Sequence, residues 1–199
     1  MNTKMSGKMP KTQDIIYLFM IFILVGVIVY GSGIKQENDL IKSTFTIDES
    51  MDEIYKDYGI KGEEYYLLAS EDYILENYRG VVINCEKARD YYSQEGQRYR
   101  NLKAELELEK QNKIIILYQD LLSEQVVIAE NMYEACEYFE SASKYFEIYY
   151  NTDVPYDDAS FEMGNFEIES MNKRINLHDD AVRRNNDILS KITAQLSRL

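Results

Sequence analysis

Along most of the chain, apolar and aromatic residues recur every three or four positions, the spacing that builds one face of an α-helix. From Ile74 the series runs Ile74, Tyr78, Val81, Cys85, Ala88, Tyr92, Glu95, Tyr99, Leu102, Leu106; nine of its ten members are apolar or aromatic. A second series runs Ile114, Tyr118, Leu121, Gln125, Ile128, Met132, Ala135, Phe139, Ala142, Phe146, Tyr149, with ten of eleven fitting. Between them lies the short polar stretch Lys110-Gln-Asn-Lys113. Two seams of similar length joined this way predict an antiparallel helical hairpin, with one helix continuous through residue 112 as the competing arrangement, because no strong breaker stands there.

The flanking segments extend the pattern. Thr46-Ile-Asp-Glu49 and Ser50-Met-Asp-Glu53 each fit a capping box, in which a hydroxyl and a Glu satisfy free N–H groups at a helix start. Ile47, Met51, Ile54 and Tyr58 then predict a short helix closed by Gly59, and a longer one opens near Gly62. Asn151 to Ser160, with Pro155 and the acids after it, predicts a loop leading into a helix. A last seam follows: Phe161, Gly164, Ile168, Met171, Ile175, His178, Val182, Asn185, Leu189, Ile192, Leu196, Leu199. The class expected is all-α, with residues 35–199 forming a bundle of three long antiparallel helices plus a short one. Alternating steps of three and four suit near-parallel, coiled-coil-like packing.

The chain opens differently. Ile15 to Tyr30 is sixteen residues without a charge, and the uncharged run extends to Ile34, twenty in all. As a helix that is about 30 Å, the thickness of a bilayer's hydrocarbon core. It predicts a transmembrane helix over 15–34 behind a polar cytoplasmic tail, 1–14. A cleaved signal has a shorter apolar region, roughly 7–15 residues, although Gly31-Ser32-Gly33 would suit a peptidase and keeps that alternative open. Lys4, Lys8 and Lys11 precede the run and only Lys35 and Lys42 follow closely, so the N-terminus is expected inside and the C-terminal domain outside the cell membrane. Tyr17 and Tyr30 stand near the two ends, where interfacial aromatics belong.

Charge narrows the function. Residues 1–33 carry net +2, so the remaining 166 carry −15 of the total −13. That excludes an ordinary nucleic-acid binder, which needs a basic face, and disfavours close docking on anionic lipid. It suits a solvated exterior or a cationic partner. Pro155 is the only proline beyond the apolar run and glycines are few, which argues against an all-β fold. Sixteen Tyr and five Phe lie outside that run, as packing aromatics with polar tips at the bundle edge.

Catalytic motifs are sparse. There is no Gly-rich phosphate loop, CxxC, HExxH or GxSxG. His178, the only histidine, lies on an apolar seam beside Asp179 and Asp180; it reads first as a packed ring and second as a pH-sensing group. Glu63-Glu64 and Asp157-Asp158 are the best carboxylate pairs for a divalent cation, set against a plain solvated face. Gln125 and Asn185 are seam polars of the kind that fix helix register. Phe139 reads as core, and Glu140 beside it as a position tolerant of change. No catalytic, cofactor-binding or metal-ligating residue is assigned. Cys85 and Cys136, the only cysteines, are expected to form a disulfide: their midpoint falls in the Lys110–Lys113 turn, so a hairpin hinged there sets them at one height, in an oxidising compartment if the domain is outside.

Two stretches, "YRGVVINCEKA" at 78–88 and "MYEACEYFESA" at 132–142, resemble the second helix of tetratricopeptide-type repeats, through Val81, Cys85 and Ala88 and through Ala135, Phe139 and Ala142. The resemblance implies a partner-binding helical scaffold. The plan of an inside N-terminus, one span and an outer bundle of long helices also resembles the sensor half of chemoreceptor-type proteins, though the second span and signalling module of that family are not in this sequence. The function expected is a membrane-anchored extracytoplasmic binding or interaction module, with a protein partner or self-association and no nucleic acid. A structural subunit assembling through its seams is the alternative, and a metal-dependent enzyme using carboxylates and His178 is the third reading.

Overall fold

In the computed structural model of the chain, the described residues are 35, 37–109, 112–151 and 158–198. The chain divides into two units, Met1–Phe45 and Thr46–Leu199. In the first, residues 37–45 are helical, and Thr44 Oγ1 donates to the Ile41 carbonyl at 2.9 Å. The expected tail, 1–14, and anchor, 15–34, lie outside the described residues. Among the described residues no helix is long and apolar enough to cross a membrane.

The second unit is all-α among its described residues. Residues 46–54 (α1) lead into a π-helical turn, Tyr55–Gly59, and then into α2, Ile60–Ile74. Three long helices follow: α3, Tyr78–Glu107; α4, Lys113–Asn151; and α5, Asp158–Leu196. The hairpin is present, and its pairings count in opposite directions: Arg89 Nη1 meets Glu140 Oε2 at 2.8 Å, Arg100 pairs with Glu130, and Gln119 Nε2 donates to the Leu106 carbonyl at 3.2 Å. Asn112 makes the hinge, because its Oδ1 accepts from the N–H groups of Ile114 (2.9 Å) and Ile115 (3.0 Å) and so caps α4. α5 runs antiparallel to α4, held by Arg184 on Glu124 (3.0 and 2.9 Å) and Arg174 on Glu134 (2.5 Å).

Three local expectations are corrected. Thr46 and Ser50 cap no helix start, because residues 37–45 ahead of them are already helical. Gly59 does not close one either: at φ −59° and ψ −52° it is helical and passes the chain through the π turn into α2. The helix opening near Gly62 does not run on to Leu106. It breaks after Ile74, where Glu76 takes φ 57° and the Asn77 side chain caps α3 by accepting from Gly80 N–H. Asp72 fastens the corner by accepting from Asn77 Nδ2 (2.7 Å) and Asn84 Nδ2 (2.8 Å). Ile74 and Leu75 therefore stand 79% and 75% exposed at a corner, although Ile74 fits the seam.

From Val81 to Tyr99 the α3 seam is buried as expected. α4 buries more than one seam. Ile115, Leu122, Ala129 and Cys136 are covered as well as Tyr118, Leu121, Ala135, Phe139 and Phe146, because α4 lies between α3 and α5. Glu140 is not tolerant surface: only 7% exposed, it binds both Arg89 and Lys144, and truncating it would leave the half-buried Arg89 short of its main counter-ion. α2 packs on α3 and reaches α4 through its rings, Tyr66 on Phe139 and Tyr73 on Phe139 and Phe146.

Rings seated on glycines set how close the helices come. A Cβ at Gly62 would stand 2.7 Å from the Tyr92 ring, and one at Gly164 would stand 2.7 Å from the Phe146 ring. At Gly96 the nearest atom, Ala129 Cβ, is 3.6 Å away, an ordinary contact. The three glycines should therefore respond with opposite signs. Gly96→Ala is expected to stabilise by about 0.5–1 kcal/mol through helix propensity, whereas Gly62→Ala and Gly164→Ala lose about 1–3 kcal/mol by overpacking. Denaturant melts of the three variants check this; stabilisation at all three positions would contradict the packing described.

Candidate functional site

The π turn, α2, α3, α4 and α5 converge on one cavity of about 300 Å³, at the small end of the range of ligand pockets. The π turn brings Tyr55 and Gly59, and α2 brings Glu63, Tyr66 and Leu67. Tyr92 and Glu95 come from α3; Gln125, Ile128 and Met132 from α4; His178 from α5. The walls are thus aromatic and aliphatic, with two carboxylates, an amide and an imidazole among them.

The spacing of each helix explains the convergence. Tyr92 and Glu95 are seam neighbours three apart on α3, so both point at the hairpin's interior. Gly62 receives the Tyr92 ring and brings α2 close enough for Glu63, one residue on, to bear on Glu95. The π turn inserts Tyr55, whose hydroxyl donates to Glu63 Oε1 at 2.9 Å. Gly59 leaves room at that point: a Cβ there would stand 2.8 Å from Glu95 Oε1.

Glu95 is the unusual group. It is 4% exposed, and burial followed by repulsion from Glu63 lifts its carboxyl to about 7, with the Tyr99 hydroxyl one turn along partly offsetting them. Tyr92 is 3% exposed, and its hydroxyl has no hydrogen-bond partner among the described residues. Its phenol is pushed far up by burial first, then by Cys136 and, after it, by Glu63 and Glu95. Burial and the bond to Glu63 likewise push the Tyr55 phenol up to about 12. Among the described residues no lysine or arginine lines the cavity. Two other grooves carry their own cations: Arg184 and Lys191 in one between α4 and α5, and Arg98 in one between α1 and α3.

The residues singled out from sequence fall in several places. Glu63, Gln125 and His178 meet at this cavity. His178 Nδ1 lies 3.1 Å from Asp179 Oδ1, and since a carboxylate only accepts, Nδ1 carries the hydrogen. Asn185 is buried elsewhere on α5 with its Oδ1 unpaired. Asp157 lies outside the described residues, and among the described residues no group of three His, Cys, Asp or Glu is arranged to hold a metal ion. Cys85 and Cys136 are brought together across the α3–α4 interface as free, fully buried thiols. Hydrogen bonding to Cys136 and burial push the Cys85 thiol far above its ordinary range.

Tyr55, Tyr92 and Glu95 did not stand out as site residues in the sequence. The one available signal was that Glu95 is the sole charged member of the ten-residue α3 seam. No family model matches the chain, and no curated protein or solved structure matches it either.

The raised Glu95 carboxyl has a consequence for stability. A group that binds its proton more tightly when folded favours folding at low pH and costs stability as pH rises from its ordinary 4.5 through about 7. The cost at pH 8 is on the order of 3 kcal/mol. Glu95→Gln removes it, so the variant is expected to be more stable than wild type by about that much at pH 8 and nearly equal to it at pH 4.5. Denaturant melts at the two values check this; a difference that does not change with pH would contradict it.

Proposed function

We propose that the chain is a binding module: a helical domain carried outside the cell on a membrane anchor formed by residues 15–34, with the tail 1–14 inside. The observation that carries the binding part is the cavity, an apolar space walled by five elements with a few polar groups converging on it, the usual form of a small-ligand site. The anchor and its orientation rest on the uncharged run and its flanking lysines. The acidic exterior supports a cationic ligand or partner and not a nucleic acid.

The self-assembly reading has one specific support. α5 leaves Phe161, Met163 and Phe166 about half exposed, a short apolar stretch on a helix covered by α4 on its other side. Light scattering separates the two readings, since a binder of small ligands need not associate and a structural subunit must.

In an oxidising compartment the facing Cys85 and Cys136 thiols close a disulfide across the hairpin, stabilising it by up to ~4 kcal/mol on the chain-entropy model. Two measurements on one preparation test the arrangement. Protease added to intact cells is expected to remove the domain and spare the N-terminal segment. Intact mass after alkylation under denaturing, non-reducing conditions is expected to show no added alkyl group on the cysteines and residues 1–14 retained. Two added groups would exclude the bridge; a protected domain would exclude the orientation.

A further inference from the structure

We infer that the cavity between the π turn and α2–α5 binds a small primary amine with an apolar or aromatic body, its ammonium seated between Glu63, Glu95 and the Tyr92 hydroxyl. This rests on the binding-module reading and names the ligand class for its site.

Four features of the cavity require such a ligand together. Its walls, Tyr66, Leu67, Ile128 and Met132 among them, offer an apolar slot and not a hydrated ion's oxygen cage. Its charged wall groups are carboxylates, with no lysine or arginine among the described residues to neutralise them. The Tyr92 hydroxyl, in a side chain 97% removed from solvent, lacks a partner where nearly all buried polar groups have one. Tyr rings beside a carboxylate attract a cation through their faces as well. A primary ammonium has three donors, enough to give one to Glu95, one to the Tyr92 oxygen and one to Glu63 or the Gln125 carbonyl. A quaternary ammonium would leave all of them unmet.

The same geometry makes binding depend on pH. Glu95 must be ionised to hold the ammonium, and its carboxyl is held near 7 by burial and by Glu63. Glu63, Tyr99, Tyr55 and Tyr92 act on it directly, and Tyr66 from α2 and His178 from α5 are the other titratable groups of the cavity; α4 lines it with the uncharged Gln125, Ile128 and Met132. Binding is therefore expected to be about tenfold tighter at pH 8 than at pH 6, since a site with an inflection near 7 is mostly empty of protons at the first and mostly protonated at the second.

The test is calorimetric titration of the full chain in lipid nanodiscs, with empty nanodiscs as blank. Three probes of one shape are used: phenethylamine, 2-phenylethanol and 3-phenylpropanoate. The expected result is saturable binding of phenethylamine at pH 8, at least tenfold weaker binding of the alcohol, and none of the acid. Glu95→Gln, an isosteric change, is expected to cut phenethylamine affinity at least tenfold and abolish the pH dependence. No saturable phenethylamine binding above the blank, equal affinity for amine and alcohol, or an affinity unchanged in Glu95→Gln would each overturn the assignment. Any of these leaves the anchored-domain reading to stand or fall separately, on protease accessibility and mass.

Discussion

The seating of Tyr92 on Gly62 is the contact on which the rest of the domain depends. A tyrosine ring lying on a helix backbone lets α2 approach α3 more closely than any side chain at position 62 would permit. That approach brings Glu63 toward Glu95 and folds the π turn over them, so the same contact that packs the core also creates its least comfortable group. π turns inside helices recur at functional sites because they displace a side chain out of regular register, and here the displaced ring is Tyr55, tied to Glu63. Fold and site are therefore not separable: the cavity is what remains when a ring and two carboxylates are forced into one junction.

The second organising feature is α4, the helix with neighbours on two sides. Its glutamates receive arginines from both: Glu130 and Glu140 from α3, Glu124 and Glu134 from α5. Exposed pairs of this kind add little stability singly, typically ~1 kcal/mol or less. Their value here is register. An arginine set one turn out of place would leave its glutamate unmatched, and the more buried Glu140–Arg89 pair would lose most. The aromatic network from Tyr66 and Tyr73 through Phe139 and Phe146 to Phe161 then fills the space the ion pairs frame.

Much of this was legible in the sequence, and the limits have physical causes. Seam periodicity located the hairpin because burial on one face imposes its period directly on residue choice. It misplaced the break after Ile74 because that corner is made by side-chain hydrogen bonds from Asn77 and Asp72, with no proline or glycine at the break to announce it. It misread Gly59 and Gly62 as punctuation, since glycine serves helix ends and close approaches alike, and only the partner ring decides between them. Glu140 looked like surface because a single seam was assumed, whereas α4 is covered from two directions. Glu95 was visible as a charge on an apolar seam, but its partner Glu63 stands on a different helix, and that pairing is a tertiary fact that periodicity does not encode.

The binding site turns on a carboxyl held buried and poised in the cavity. Carbon-13 NMR of side-chain carboxyls, followed against pH and assigned by the resonance lost in Glu95→Gln, measures it directly. The Glu95 inflection is expected near pH 7. An inflection in the ordinary carboxylate range, about 4–4.5, would mean that Glu95 is solvated and that the cavity as described does not exist.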